Sequence, residues 1–447
     1  MYNVSKTHGS GAAPYAGRGD TKMHGTATDA ALIANRHETW DSGQVLMALV
    51  TALAFFAEGM GTQALGLALP AIIKEWAIPR AALASATAVG MAGFALGAVL
   101  GGLCADRFGR RASLVFSLAL LGVSTAACGL TNNTAELGLV RFFVGLGLGA
   151  SLPSAAALIA ESSPLRHRSM VIAVGLAFLP LGGFANGLIA GWVLPHFGWR
   201  ALFAVTGALS LLFAFALGVY GLIWRARTGA AAFTEQTTRS SFHASLRGLV
   251  ALPARRDSLG LWGAFFFTVL IYYSIFSWLP TVLSGAGWAV PVASGAISAF
   301  ALGGLAGGLM AGWFSQSFGT RAALWILSGG AAAAGAILAA VAHVAPADAT
   351  QLMAGIALLG ATVIGIQTAL FALGAHVYDA ALRSTGTGVA VGWGRVGAIA
   401  SSFTGVASLD RGGPPGFFLF LAVAALFALA CGLCVSRQIP GRRVQGR

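Results

Sequence analysis

Charge is what this chain has least of. Asp, Glu, Lys and Arg make up 9% of its 447 residues, while 57% are hydrophobic. A soluble domain carries about a quarter charged residues, so the composition excludes a soluble protein. Cysteine is sparse as well. The four present, Cys104, Cys128, Cys431 and Cys434, fall in or beside apolar runs. Cys431-Gly-Leu-Cys434 has no second pair to complete a metal or redox site, and reads as small core residues. The eight histidines (His8, His24, His37, His167, His196, His243, His343 and His376) show no metal-ligand spacing. No metal and no cofactor are expected. The chain lacks a GxxxxGK[ST] phosphate loop, a GxSxG elbow and a paired-carboxylate constellation, so neither ATP-driven work nor enzyme activity is expected. The apolar runs lack ten-residue alternation, which excludes a barrel. Nothing apolar precedes residue 45, so no signal peptide is expected, and the polar, Gly/Ala/Ser-rich start reads as a disordered tail.

What the chain has is long apolar runs. Twelve of them, near 45–73, 82–105, 112–130, 137–160, 169–194, 200–224, 258–280, 291–314, 322–343, 350–374, 385–406 and 415–436, approach the roughly 20 residues a spanning helix needs. Lipid leaves helices as the only solution once a barrel is excluded. The expectation is an all-α membrane protein of twelve transmembrane helices in two six-helix bundles. Residues 1–44 form a tail, 45–224 the first bundle, 225–257 a basic linker, 258–436 the second bundle and 437–447 a basic end.

The formal net charge of +13 follows this topology. The tail, the even-to-odd connections and the C-terminus hold 21 of the 27 Lys and Arg residues. The opposite side holds Lys74, Arg80, Arg200 and Arg411, and Arg141 and Arg395 lie within spans. Positive residues collect on the cytoplasmic side, which predicts cytoplasmic termini in an inner membrane and no nucleic-acid partner. The halves also repeat. GLCADRFGRR from Gly102 and GWFSQSFGTR from Gly312 share a leading glycine and a Phe-Gly-x-Arg ending. LRHRSMVIAVG and LRSTGTGVAVG end at Gly175 and Gly392. Two parallel repeats with a site between them is a transporter plan.

Buried charge marks the candidate site. Glu58 is the only charged residue between Asp41 and Lys74. A charge at a helix centre costs at least about 2.5–3.5 kcal/mol on insertion scales. Burial penalises the ionised carboxylate, so Glu58 is the expected proton site. Phe55, Glu58 and Thr62 share one helical face, which should look into the bundle. Arg395 cannot shed its proton and needs an anion: Glu58, another carboxylate, or a carboxylate substrate held by its planar fork. Arg141 either snorkels outward near Glu136 or faces the interior. Tyr272, Tyr273 and Trp393 are candidate walls for an aromatic ring, Trp278 is either a wall or an interfacial residue, and Gln63 and Gln367 are candidate donors.

Gly102-Leu-Cys-Ala-Asp106-Arg107-Phe-Gly109-Arg110-Arg111 resembles the signature of the major facilitator superfamily, and Arg141-Phe-Phe-Val-Gly-Leu-Gly-Leu-Gly149 resembles its fourth-helix motif. AEGMGTQALG (Ala57 to Gly66), SWLPT (Ser277 to Thr281) and RSTGTGVAVGWGRVGAIA (Arg383 to Ala400) are similar to the aromatic acid:proton symporters within it. The resemblance spans about residues 45–436. It implies import of an aromatic carboxylate with protons as coupling ion, a monomer as functional unit, Arg395 as substrate ligand and Arg141 in proton coupling. It implies a gating role for Asp106, Arg107, Gly109, Arg110 and Arg111. Asp106 is expected to accept from helix-terminal amides and pair with an arginine. Glu161 with Arg166 and Arg168, and Asp379 with Arg383, are expected to act as inter-helix locks at the inner gate.

Two departures stand out. Gly61 replaces a second acid usual in that branch, and Gln316 replaces the signature Asp in the second half. The alternatives are an importer of a non-aromatic acid such as a muconate-like dicarboxylate, or a proton-antiport exporter, which FLPLGGFANG (Phe178 to Gly187) partly resembles.

Overall fold

A computed structural model describes residues 41–164, 167–228, 252–341, 349–378 and 383–441. The linker and both extreme ends therefore lie outside the described residues, wholly or in large part. Among those described, the chain is helical almost throughout. The first half contains α1 (Ser42–Trp76), α2 (Arg80–Phe108), α3 (Arg110–Cys128) and α4 (Thr134–Ser162). The helix Arg168–Thr228 breaks at Gly198, whose φ of 76° no helix allows, giving α5 (168–197) and α6 (199–228). The second half contains α7 (Leu252–Gly285), α8 (Val290–Phe318), α9 (Thr320–Val341) and α10 (Ala349–Val377). The helix Arg383–Leu433 breaks at Gly413, φ 60°, into α11 (383–412) and α12 (414–433). The twelve expected spans thus coincide with twelve helical segments, most running a few residues beyond the apolar windows.

The ends follow local chemistry. Asp41 caps α1 by accepting from the Gly43 amide at 3.2 Å, while the Asp41 amide donates to Gln44 Oε1 at 3.1 Å, a capping box. Asn133 caps α4 by accepting from the Glu136 amide at 2.9 Å. The repeated signature turns use the same device. Gly109 (φ 87°) and Gly319 (φ 90°) occupy the same place in the two halves, in a backbone region that favours glycine.

Glycine also sets how close helices come. A Cβ at Gly93 or Gly97 of α2 would collide with the carbonyls of Phe142 or Leu146 of α4, and one at Gly145 or Gly149 of α4 would collide with the α2 backbone in return. In the second half, Gly303 and Gly307 of α8 lie in the same way against Ala357 and Ala361 of α10. Small residues permit this backbone approach between membrane helices. The paired glycines of FLPLGGFANG have the same use. Gly182 rests on the Phe56 carbonyl and Gly183 on the Gln63 amide, and Asn186 donates to the Met60 carbonyl at 2.9 Å.

The Tyr220 hydroxyl donates to the Gly43 carbonyl at 2.9 Å, placing the end of α6 and the start of α1 on one face, the terminal face. The chain end returns to that face in the second half. Ser436 donates from its amide and hydroxyl to the buried Asp257 carboxylate at 2.6 and 2.8 Å. Ile439 accepts from the Thr320 amide at 3.1 Å, and Gly319 pairs with Pro440. Residues 436–441 therefore form a strap across the starts of α7 and α9, where the sequence suggested only a basic end.

The named contacts between halves gather at mid-membrane and toward the opposite face. Gly66 of α1 rests on the Phe276 carbonyl of α7. Ser298 of α8 donates to the Phe184 carbonyl of α5 at 2.8 Å. Arg80, opening α2, pairs with Asp410 near the end of α11 at 3.7 Å.

Candidate functional site

Glu58 sits midway along α1 with 3% of its surface exposed. Its Oε2 accepts from the Ser151 hydroxyl of α4 at 3.1 Å. Phe55 of the same face is fully buried, and Thr62 donates back to the Glu58 carbonyl at 2.8 Å. Gly59 brings α1 against the Leu179 carbonyl of α5. The carboxylate thus lies inside the first bundle between α1 and α4. Arg395 is close enough to act on it electrostatically, but no ion pair joins them.

Arg395 lies near the middle of α11, half-buried, and donates from Nη1 to the Tyr273 hydroxyl of α7 at 2.8 Å. Its guanidinium carbon stands 3.8 Å over the Phe94 ring of α2. Among the described residues no carboxylate pairs with it. Of the anions open to it, Glu58 and every other described acid are absent as direct partners. A half-buried guanidinium with an aromatic face below and a phenol at one edge keeps donors available for a planar anion.

Tyr272 meets Phe276 at a centroid distance of 4.4 Å in an edge contact, and its charge environment includes both Glu58 and Arg395. Tyr272, Tyr273 and Arg395 are brought together, with Glu58 within their electrostatic reach. Trp393 is not. It is 49% exposed, and two residues along a helix place it 200° around α11 from Arg395. Trp278 is fully buried against Gly405, which opens a slot for its ring, so it stands neither at an interface nor on a wall. Gln63 is buried beside Gly183 with Oε1 unbonded, and Gln367 is half-buried and hydrogen-bonds to no described residue. Neither amide hydrogen-bonds to Arg395.

Arg141 is 2% exposed, so it does not snorkel. Its side chain crosses Gly90, and its Nε and Nη1 have no hydrogen-bond partner. Glu136, its neighbour in sequence, is engaged at the α4 cap, accepting from the Asn132 amide at 2.9 Å.

The terminal-face cluster differs from expectation in its pairings. Asp106 is exposed and bonds to no described residue. The reason is local, since it lies at the carbonyl end of α2 and the adjoining start of α3 takes no side-chain cap. Arg107 is exposed, its guanidinium 5.6 Å from the Phe108 ring. Arg111 donates to the Gly221 carbonyl of α6. Glu161 pairs with Arg110, tying α4 to α3 within the first half. Arg166 and Asp379, and the side chains of Arg168 and Arg383, lie outside the described residues.

Two members of the site were missed in the sequence. Ser151 carried a signal, a hydroxyl inside an apolar span two residues past the Gly149 motif. Phe94 carried none, as one of 28 phenylalanines.

The sequence model of the Major Facilitator Superfamily matches residues 51–402. The gallate transporter of Pseudomonas putida is 29% identical over 427 residues, covering 89% of this chain and 94% of that one. The 4-hydroxybenzoate transporter PcaK of Acinetobacter baylyi is 29% identical, covering 88% and 90%. The 3-(3-hydroxy-phenyl)propionate transporter of Escherichia coli is 30% identical, covering 86% and 91%. Among solved structures, a D-xylose-proton symporter superposes with a TM-score of 0.70 at 17% identity, over 90% of this chain and 98% of that one, a likeness of fold. Signature turns repeated at Gly109 and Gly319, two glycine-packed six-helix halves and the extent of these matches agree: the chain belongs to the major facilitator superfamily.

Proposed function

We propose that the protein imports an aromatic carboxylate together with protons, as a monomer in the cytoplasmic membrane with both termini cytoplasmic. One observation carries this reading: Arg395, in mid-membrane between the halves, pairs with no carboxylate among the described residues. The names of the relatives, which include gallate, 4-hydroxybenzoate and hydroxyphenylpropionate transporters, support an aromatic acid as the missing anion. With the terminal face cytoplasmic, the cross-half contacts of Gly66, Ser298 and Arg80 close the outer side, as expected after substrate has entered.

The cycle follows from charge. Loading a carboxylate on Arg395 and a proton on Glu58 neutralises the charge of both groups in the low-dielectric centre, so the halves can rock through an occluded state. Empty protein with Glu58 ionised resists that passage, which couples the two fluxes. Tyr272 and Phe276 offer edges and faces to an aromatic ring.

The test is uptake of radiolabelled benzoate, 4-hydroxybenzoate, gallate, 3-phenylpropionate and muconate into proteoliposomes under an inward proton gradient. Gradient-driven uptake of an aromatic member, lost in Glu58→Gln and Arg395→Ala, is the expected result. Uptake of muconate alone would move the substrate to a non-aromatic acid, and outward flux against an inward proton gradient would make the protein an exporter.

A further inference from the structure

Among the described residues, Phe94 is the one aromatic side chain of the first half that touches the Arg395 guanidinium. It is 3% exposed, and Arg395 stands 3.8 Å above its ring. We propose that Phe94 is a positioning residue that holds the Arg395 guanidinium flat on its π face, so that one edge is fixed by Tyr273 and the other is presented to the substrate carboxylate. This deepens, and rests on, the reading of Arg395 as the carboxylate ligand.

Three observations converge on it. The first is geometry. A guanidinium free to rotate offers its fork in many directions, whereas one stacked on a ring and bonded at Nη1 to the Tyr273 hydroxyl has its plane and one edge set. Pre-organisation of this kind lowers the ordering cost of binding.

The second is local dryness. Phe94 belongs to the main apolar core, and Tyr273, which bonds Arg395, packs with Met91, Val269 and Ala398 in a second apolar cluster drawn from α2, α7 and α11. Cation–π attraction strengthens where water is excluded. The Tyr273 ring is farther from the guanidinium, at 6.0 Å, so Phe94 is the principal face.

The third is the way Phe94 itself is held. A Cβ at Gly145 would collide with the Phe94 amide nitrogen, and one at Gly149 with its carbonyl oxygen. The glycines after Arg141 therefore press α4 directly onto the backbone that carries this ring. Phe94 also falls at the midpoint of α2 and Arg395 near that of α11. Rocking about a mid-membrane axis moves helix ends more than their middles, so the stack is placed where it can persist through the transport cycle.

The test keeps shape and changes only the ring's electrostatics. Phenylalanine carrying one, two or three fluorines is incorporated at position 94, and KM and maximal rate are measured for the acid of the uptake panel that wild type transports best. A stepwise rise in KM, reaching about 5- to 30-fold at the trifluoro ring, is expected, with maximal rate within about twofold. Phe94→Trp should keep KM within about threefold and Phe94→Leu should raise it as the trifluoro ring does. Arg395→Gln separates the two levels. A flat fluorine series beside a raised KM in Arg395→Gln overturns the platform alone. An unchanged KM in Arg395→Gln, or no uptake of any panel acid by wild type, overturns the carboxylate reading and the platform with it.

Discussion

The Ser151 hydroxyl donates to Oε2 of Glu58 at 3.1 Å, joining the middle of α4 to the middle of α1. It is the one hydrogen bond that the Glu58 carboxylate makes to a described residue. Glu58 and the helix that carries Arg141 are thereby linked.

Removing that bond should weaken transport without uncoupling it. A single hydrogen bond contributes about 1 kcal/mol, so Ser151→Ala should slow gradient-driven uptake roughly fivefold. Glu58→Gln should instead abolish the dependence on the gradient. Initial rates with and without an imposed proton gradient distinguish the two outcomes.

Arg141 separates stability from function. Its Nε and Nη1 are buried without partners, and replacing a buried charge by an apolar side chain of similar size is often neutral or stabilising. Arg141→Met should keep or raise the unfolding temperature of the purified protein while uptake falls at least about tenfold, the size expected for loss of a fixed charge that tunes a neighbouring proton transfer. Thermal unfolding and uptake on the same preparation check both parts.

Gly66 should report on which face is closed. Its missing Cβ lets α1 rest on the Phe276 carbonyl of α7, a contact between halves. Gly66→Ala forces that contact apart at a cost of about 1–3 kcal/mol. A cysteine introduced near the outer end of α7 should label faster with a membrane-impermeant maleimide in the variant than in wild type, while the unfolding temperature changes little.

Gly61 answers the question raised by the missing second acid. A Cβ there would lie 3.0 Å from the Leu121 side chain and 3.4 Å from that of Leu148, both in the first-half core. Gly61→Asp would bury a carboxylate among leucines with no partner. The expected result is a loss of folded yield and no increase in protons moved per substrate, measured by uptake with a pH-sensitive dye.

Much of the fold was legible because lipid simplifies the code. Apolar length gave the twelve spans, and arginine placement gave their expected direction. Glu58 and Arg395 stood out because charge inside such runs is costly. Less was legible where geometry rather than residue type decides. Trp393 and Arg395 are two positions apart, yet 200° of helix separates them. Glu161 also meets Arg110, a partner from another helix that the spacing of the sequence did not suggest. Phe94 became visible only once α2 lay against α11. The strap at 436–441 was hidden for the same reason, since its anchor Asp257 belongs to the start of a different helix.

That strap has a consequence for how the protein is made. Asp257 and Ser436 are 179 residues apart. A ribosome makes the carboxylate at the opening of the second half and its hydroxyl partner only after α12. Until residues 436–439 leave the exit tunnel, the Asp257 corner lacks both bonds from Ser436, and the Thr320 amide lacks its acceptor on Ile439. This corner of the second bundle is therefore fastened only after all six of its helices have been made, which makes the strap a late step in its assembly.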